Sequence, residues 1–162
     1  MAHFAELKLK QDPTGFTNDM LQVVERVVVV GNDISINGGF LKDNDMHVDA
    51  ETWCNNFFKG GTWKQTSYNG TFRKQYAGEG HIYHVESDKF ISPQPHASWA
   101  LDANHDWQAP VTYPTETTNK SVIWNEENLR WHAAEDLEGT SPFDYFYWDV
   151  PTLAWIQYTP SE

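Results

Sequence analysis

The sequence has a single cysteine, few basic residues and no long apolar run, and each shortage excludes a class of protein. Cys54 has no second cysteine to pair with, so an internal disulfide is excluded. Only 11 Lys and Arg residues stand against 23 Asp and Glu residues, a net charge of −12. Nucleic acids and anionic lipids need a basic surface, so neither is expected as a partner. The longest aliphatic run, Val27 to Val30, is too short to span a bilayer, and the opening MAHFAELKLK has no apolar region typical of a signal peptide.

Aromatic residues are abundant, and six of the eight tryptophans fall into three pairs. The pairs are Trp99 with Trp107, Trp124 with Trp131, and Trp148 with Trp155. The second and third pairs are spaced seven residues apart, whereas the first is one residue longer. Tyr83 and Phe90 repeat the seven-residue spacing with other aromatics. This repetition predicts four small β-hairpins, each with its two aromatics on facing strands and with acidic or amide residues in the turn.

Two roles for these eight aromatic residues stay open. Facing aromatics can form the small core that allows a hairpin to exist, with about 0.5–1.5 kcal/mol of stabilisation beyond their buried area. Alternatively they anchor contacts with a partner, since Trp and Tyr dominate interface hot spots. The candidate interface residues are Trp99, Trp107, Trp124, Trp131, Trp148, Trp155, Tyr83 and Phe90.

The order of patterns along the chain predicts a mainly β fold with a minor helical part. Residues 4–10 alternate between apolar and polar side chains, and a Val-rich run follows a Pro- and Gly-containing turn, as expected of two strands. Asn69-Gly70 is typical of a two-residue hairpin turn, which places Trp63 opposite Tyr76. We therefore expect an antiparallel sheet with one helix in a domain of residues 1–91, and Pro-linked aromatic β-hairpin repeats in residues 92–162.

The helix is expected at about residues 49–58. Its apolar residues follow the spacing of one helical face, namely Ala50, Trp53, Cys54, Phe57 and Phe58. Asp49 is a candidate N-cap, and Gly60-Gly61 a candidate stop. Because Cys54 lies on the apolar stripe, we interpret it as a packed core residue rather than a nucleophile.

No arrangement of side chains indicates catalysis, a metal site or a cofactor. The carboxylates fall in or beside predicted turns, where Asp and Asn favour local backbone hydrogen bonds. His81 and His84 are expected on opposite faces of a strand, which is unsuitable for shared metal ligation. The acidic stretch 43–49 lacks the Gly and Glu that a calcium loop requires. We therefore expect a protein that is not an enzyme.

Several segments together resemble a family of small proteins of marine tailed bacteriophages, including phages of cyanobacteria. They are the opening MAHFAEL, the segment GGTWKQTSYNGTFRKQYAG, the connector FISPQP and the motif WNEENLRW. The resemblance covers nearly the whole chain and is strongest over residues 62–131. This chain departs from it by a longer first hairpin around QDPTGFTNDM and by an additional aromatic hairpin after Glu138. The resemblance implies a virion protein that assembles in the host cytoplasm.

The expected function is that of a non-enzymatic structural protein of the virion, first a capsid decoration or accessory protein and next a tail-attached one. Its expected partners are the major capsid protein or tail proteins, and self-association into a homo-oligomer is left open. The alternative is a carbohydrate-binding module on a tail or fibre, with exposed Trp rings stacked on host polysaccharide. That alternative requires rings that are exposed and roughly coplanar.

Overall fold

The computed structural model describes residues 1–36, 39–41, 48–135 and 143–160. These residues form antiparallel strands and one short helix, which confirms the mainly β fold class. The elements are β1 (Ala2–Gln11), β2 (Met20–Val30), β3 (Ser35–Ile36), β4 (Gly39–Phe40), α1 (Val48–Phe57), β5 (Thr62–Thr66), β6 (Ile82–His84), β7 (Lys89–Ile91), β8 (Ala100–Leu101), β9 (Trp107–Gln108), β10 (Lys120–Asn125), β11 (Arg130–Glu135), β12 (Asp144–Asp149) and β13 (Ala154–Tyr158). Residues 43–47 of the rejected calcium-loop stretch lie outside the described residues. The chain divides into two compact units, an N-terminal unit (Met1–Gln94) and a C-terminal unit (Pro95–Glu162).

The N-terminal unit is built on a five-stranded sheet with the strand order β5-β1-β2-β6-β7. The long strands β1 and β2 pair antiparallel, and their register shifts by one residue between Glu6 and Leu7. Each face of this sheet carries a buried core cluster. Phe4 packs with Trp63 and Cys54 in one core cluster, whereas Leu7 packs with Val24, Tyr83 and Phe90 in another.

Helix α1 lies within one residue of its predicted bounds and buries the expected face. Ala50 and Cys54 are fully buried, whereas Phe57 is 63% exposed and stacks on Trp53. Asp49 is the second residue of the helix, so its assignment as N-cap is wrong. Burial, and secondly the nearby carboxylate of Glu51, raise the pKa of the Cys54 thiol to about 12.

The helix ends at Phe57, three residues before the predicted Gly60-Gly61 stop. The Gly60 N–H donates to the Asn55 carbonyl at 2.8 Å, and Lys59 takes a left-handed φ of 58°. This pattern is a Schellman motif, in which the left-handed residue is usually Gly. Lys59, rather than a glycine, therefore occupies the strained position.

The predicted Asn69-Gly70 hairpin is wrong. The Gly70 N–H donates to the Ser67 carbonyl, so the turn is centred one residue earlier, and no strand follows it before β6. Instead β5 pairs with β1, which places Trp63 opposite Glu6. The chain after the turn is diverted because Arg73 is drawn inward by buried acceptors, with a left-handed φ of 52°.

The loop between β1 and β2 is organised by one buried carboxylate. Asp12 is 8% exposed, and its oxygens accept hydrogen bonds from the backbone N–H and hydroxyl groups of Thr14 and Thr17. Burial alone would raise the pKa of Asp12, but these four hydrogen bonds outweigh it, and the pKa is lowered. The charged form of Asp12 therefore stabilises the loop.

Replacing Asp12 with asparagine is expected to lower the free energy of unfolding by about 1–3 kcal/mol at neutral pH, because acceptors for bonded N–H and O–H groups are lost. The folded pKa lies below the unfolded value of about 3.9, so the stabilisation is complete above that pH and is lost as the pH falls through the folded pKa. Urea unfolding of both proteins across a pH series measures this difference. A difference that stays constant down to about pH 2 would contradict the assignment.

The C-terminal unit contains a four-stranded antiparallel meander in the order β10-β11-β12-β13, and a separate small hairpin of β8 and β9. Among the described residues, no helix is both long and apolar enough to cross a membrane.

Candidate interaction surface of the C-terminal unit

Four tryptophans form one cross-strand row on a single face of the meander. Trp124 lies directly opposite Trp131, and Trp148 directly opposite Trp155. The two hairpins are joined through β11 and β12, where His132 lies opposite Tyr147. The same register places Trp131 beside Trp148, so the two pairs are continuous. We call Trp124, Trp131, Trp148 and Trp155 the tryptophan row.

The seven-residue spacing of the aromatic pairs follows from the length of the turns. In three hairpins the pair next to the aromatic pair, on the side of the turn, encloses a four-residue loop. In the hairpin of β10 and β11 this pair is Asn125 with Arg130. The fourth loop residue has a left-handed φ in each, namely 51° at Asp88, 48° at Leu129 and 52° at Leu153. The hairpins predicted for the pairs at 83, 124 and 148 are confirmed.

The hairpin of β8 and β9 differs, and the predicted pairing of Trp99 with Trp107 is wrong. Trp107 lies opposite Leu101, across a five-residue loop that contains His105 with a φ of 64°. Residues eight apart face each other across this loop, but the facing pair is Ala100 with Gln108, so Trp99 and Trp107 are offset by one position. Trp99 instead packs against the tryptophan row, with its ring centroid 5.9 Å from that of Trp131.

The tryptophan row is the core of the C-terminal unit. Trp124, Trp131 and Trp148 are 6–7% exposed, and Trp155 is half-buried. The segment that contains Val111 is held against the row by a hydrogen bond, in which Trp131 Nε1 donates to the Val111 carbonyl at 2.9 Å. Rings meet edge to face, with interplanar angles of 71° in the first pair and 68° in the second.

The eight candidate interface residues are therefore mostly interior. Tyr83 and Phe90 face each other in the core of the N-terminal unit, 6% and 0% exposed. Of the tryptophans, Trp99 and Trp107 are half-buried, as is Trp155, and the other three are buried. The structure brings the row and Trp99 together, whereas Trp107 lies in β9, outside this cluster.

Glu126 has a role that the turn assignment did not foresee. Its carboxylate accepts hydrogen bonds from the Ser98 N–H and hydroxyl, each at 2.7 Å, and from Trp124 Nε1 at 2.8 Å. Burial alone would raise the pKa of Glu126, but the hydrogen bonds lower it by more, so the pKa lies below its ordinary value. Asp102 and Asp149, in contrast, accept local turn hydrogen bonds as predicted.

The opposite face of the meander carries tyrosines, and sequence reasoning missed it. We call the residues Ile123, His132, Tyr145, Tyr147, Ile156 and Tyr158 the tyrosine face. A hydrogen bond of 2.9 Å joins His132 Nδ1 and the Tyr158 hydroxyl, and the Arg130 guanidinium lies 4.0 Å from the Tyr147 ring centroid. Burial, and then Arg130, lower the pKa of His132, so the imidazole is neutral at pH 7. The alternation of Tyr145 and Tyr147 with Phe146 and Trp148 was the available signal.

Exposed aliphatic side chains lie at the hairpin tips of the meander. In an antiparallel meander the turns after β10 and after β12 lie at the same end, and they hold Leu129, Val150 and Leu153. These side chains are 49%, 48% and 68% exposed. We call these three residues the tip cluster.

The C-terminal unit also holds most of the excess negative charge. Residues 95–162 contain 11 of the 23 acidic residues but only two of the 11 basic ones, which is −9 of the total −12. Lys120 pairs with Glu135 at 2.6 Å, and Arg130 is packed on Tyr147. Both cations of this unit are thus already engaged within it.

The N-terminal unit contains a buried ion-pair network. Arg73 is 8% exposed, and it donates to Glu51 Oε1 at 2.6 Å, to the Gln65 carbonyl at 2.8 Å and to Asp88 Oδ1 at 2.7 Å. Burial alone would lower the pKa of Arg73, but the ion pairs with Glu51 and Asp88 raise it. Its groups satisfy one another, so the network is structural in character.

Within the part of the chain that the structure describes, no three His, Cys, Asp or Glu side chains cluster as metal ligands do. Comparison with protein-family models, with curated proteins and with solved structures found no significant match.

Proposed function

We propose that this chain is a non-enzymatic structural protein of a bacteriophage virion, a capsid decoration or accessory protein whose C-terminal unit binds another virion protein. The observation that carries the proposal is the tip cluster, in which exposed leucines occupy left-handed backbone positions. The resemblance of residues 62–131 to proteins of marine tailed phages supports the phage context.

Leucine is unfavourable at the fourth position of these turns for two reasons. The left-handed conformation costs a residue with a Cβ roughly 1 kcal/mol, and Leu129 and Leu153 also expose apolar surface. At the same left-handed position of the β6–β7 hairpin the chain uses Asp88, a residue type that tolerates this conformation. Insertion of the two leucines into an apolar pocket of a partner offsets both costs.

Charge indicates the kind of surface that receives them. The net charge of −9 on the C-terminal unit favours a partner with a basic surface and opposes association with an acidic one. The tyrosine face adjoins the tips, and Arg130 packs on its Tyr147 ring. Tyr and Arg are both enriched at protein interfaces. The proposed partner surface is therefore basic at its rim and apolar where the tips enter.

The test is the double variant Leu129→Asn/Leu153→Asn. We expect it to unfold at higher urea concentration, with a gain of about 1–2 kcal/mol, because Asn tolerates the left-handed conformation. We expect the same variant to lose incorporation into virions, measured by sedimentation and quantitative mass spectrometry of particles produced without the natural chain. A role confined to the fold does not predict opposite changes in stability and binding.

The matched control is Leu9→Asn, which replaces a leucine that is 59% exposed on β1 of the N-terminal unit. This variant is expected to enter virions normally. Absence of the natural chain from purified virions overturns the virion assignment, and normal incorporation of the double variant overturns the role of the tips.

A further inference from the structure

A groove in the C-terminal unit lies beside the tryptophan row and has a lining distinct from the tip cluster. Its volume is about 620 Å³, and its lining residues are Thr115, Glu116, Thr118, Lys120, Phe146, Ala154 and Trp155. This volume falls within the range of about 300–1,000 Å³ that small-molecule sites occupy. The lining combines two aromatic rings with hydroxyl and carboxylate groups.

The aromatic part of the groove is held in place before any ligand arrives. Trp155 Nε1 donates to the Glu116 carbonyl at 2.6 Å, and its ring packs edge to face on Trp148 at 5.3 Å. Phe146 packs under the Lys120 ammonium, which lies 4.8 Å from its ring centroid. Fixed rings offer apolar contact at little cost in conformational entropy.

The polar part consists of groups that exchange hydrogen bonds with hydroxyls. Thr115 and Thr118 are exposed and can each donate and accept, and the exposed Glu116 carboxylate accepts. Lys120, the cation among the described lining residues, already donates to Glu135 at 2.6 Å. The groove therefore presents a surface that suits a neutral ligand rich in hydroxyl groups.

We propose that this groove binds a neutral saccharide, with the C–H face of a sugar ring against Trp155 and Phe146 and its hydroxyls on Thr115, Glu116 and Thr118. The net charge of −9 on the unit opposes phosphorylated, sulfated and other anionic ligands. A purely apolar ligand would leave the threonine hydroxyls and the carboxylate desolvated without partners. The other three tryptophans of the row, Trp124, Trp131 and Trp148, are unsuitable as a sugar platform because they are buried.

The test uses the full chain and a panel of neutral di- to tetrasaccharides built from glucose, galactose, N-acetylglucosamine or rhamnose, with sulfated counterparts. Titration calorimetry is expected to find binding by at least one neutral member at roughly millimolar affinity or better, and none by its sulfated form. Binding by no neutral member, or tighter binding by the sulfated form, overturns the proposal.

Two variants locate the site without disturbing its aromatic rings. Thr118→Val and Glu116→Gln are each expected to weaken binding about 3- to 10-fold, while the unfolding transition is unchanged. The first removes a hydrogen-bonding hydroxyl, and the second replaces a charged acceptor with a weaker neutral amide. Thr112→Val, an exposed threonine of the same segment that does not line the groove, is the matched control with unchanged affinity. Equal affinity of Thr118→Val and the natural chain places the sugar elsewhere and overturns the assignment. Because this test needs no virion partner, its result is independent of the proposed function.

Discussion

Replacing Arg73 with alanine is expected to lower the free energy of unfolding of the N-terminal unit by about 3–5 kcal/mol. The substitution leaves the buried Glu51 carboxylate without its closest cation, and removes donors from the Gln65 carbonyl and from Asp88. Lys64 Nζ, at 3.4 Å from Glu51, compensates only in part. Urea unfolding followed by circular dichroism measures the loss.

The companion double variant separates the effect of an orphaned charge from that of lost packing. Arg73→Leu/Glu51→Leu removes both buried charges and leaves only the more exposed Asp88 and Lys64 unpaired. It is therefore expected to be more stable than Arg73→Ala, in which the buried Glu51 carboxylate loses its closest cation. Asp88→Asn, at a side chain that is 49% exposed, is the mild control. It is expected to lower the free energy of unfolding by less than Arg73→Ala or the double variant does. A double variant that is no more stable than Arg73→Ala would show that burial of the ion pair is not the cause.

Replacing Trp131 with alanine is expected to cost the C-terminal unit about 3–5 kcal/mol. Its ring contacts Trp124 at 5.1 Å and Tyr113 at 4.9 Å, and its indole N–H holds the Val111 carbonyl. A compact unit of this size is typically stable by only a few kcal/mol, so the loss is comparable to its whole stability. We expect hydrogen-exchange protection to disappear from residues 95–135 and 143–160 and to persist in the N-terminal unit.

Two milder variants of the tryptophans give the comparison. Trp131→Phe keeps an aromatic ring but loses the bond to Val111, so it is expected to fall between the natural chain and Trp131→Ala. Trp107→Ala, at a half-buried tryptophan outside the row, is expected to leave the protection of β10 to β13 in place. Equal effects of Trp107→Ala and Trp131→Ala would contradict the central place of the row.

Spacing predicted the hairpins because it encodes turn length directly. A four-residue loop places residues seven apart on facing strands, so Trp124 with Trp131 and Trp148 with Trp155 could be paired from the sequence. The assembly of the two pairs into one row could not be predicted, because it depends on the register of β11 against β12. No local sequence pattern specifies that register. The tyrosine face depends on the same register, so the sequence held only a partial signal for it, the alternation of Tyr145 and Tyr147 within β12.

The Asn69-Gly70 hairpin failed because distant contacts outweighed local turn preference. Strand β5 pairs along the free edge of β1 instead, and His3 lies opposite Thr66 although the two are far apart in the sequence. The Thr66 hydroxyl then accepts the Ala77 N–H at 2.7 Å, which holds the following segment away from a hairpin path. The local preference of Asn-Gly for a hairpin turn contributes less free energy than the pairing of β5 with β1 and the buried ion pairs of Arg73.

The burial of Cys54 provides the protein with an internal reporter. Its side chain is fully buried and its thiol has a pKa of about 12, so a thiol reagent finds neither access nor thiolate in the closed state. Modification therefore proceeds through opening of the N-terminal unit, and its rate follows the equilibrium of that opening. Because the sequence has no other cysteine, the C-terminal unit contributes no signal. The rate of thiol modification thus reports the opening of the N-terminal unit in the unaltered chain, without a contribution from the C-terminal unit.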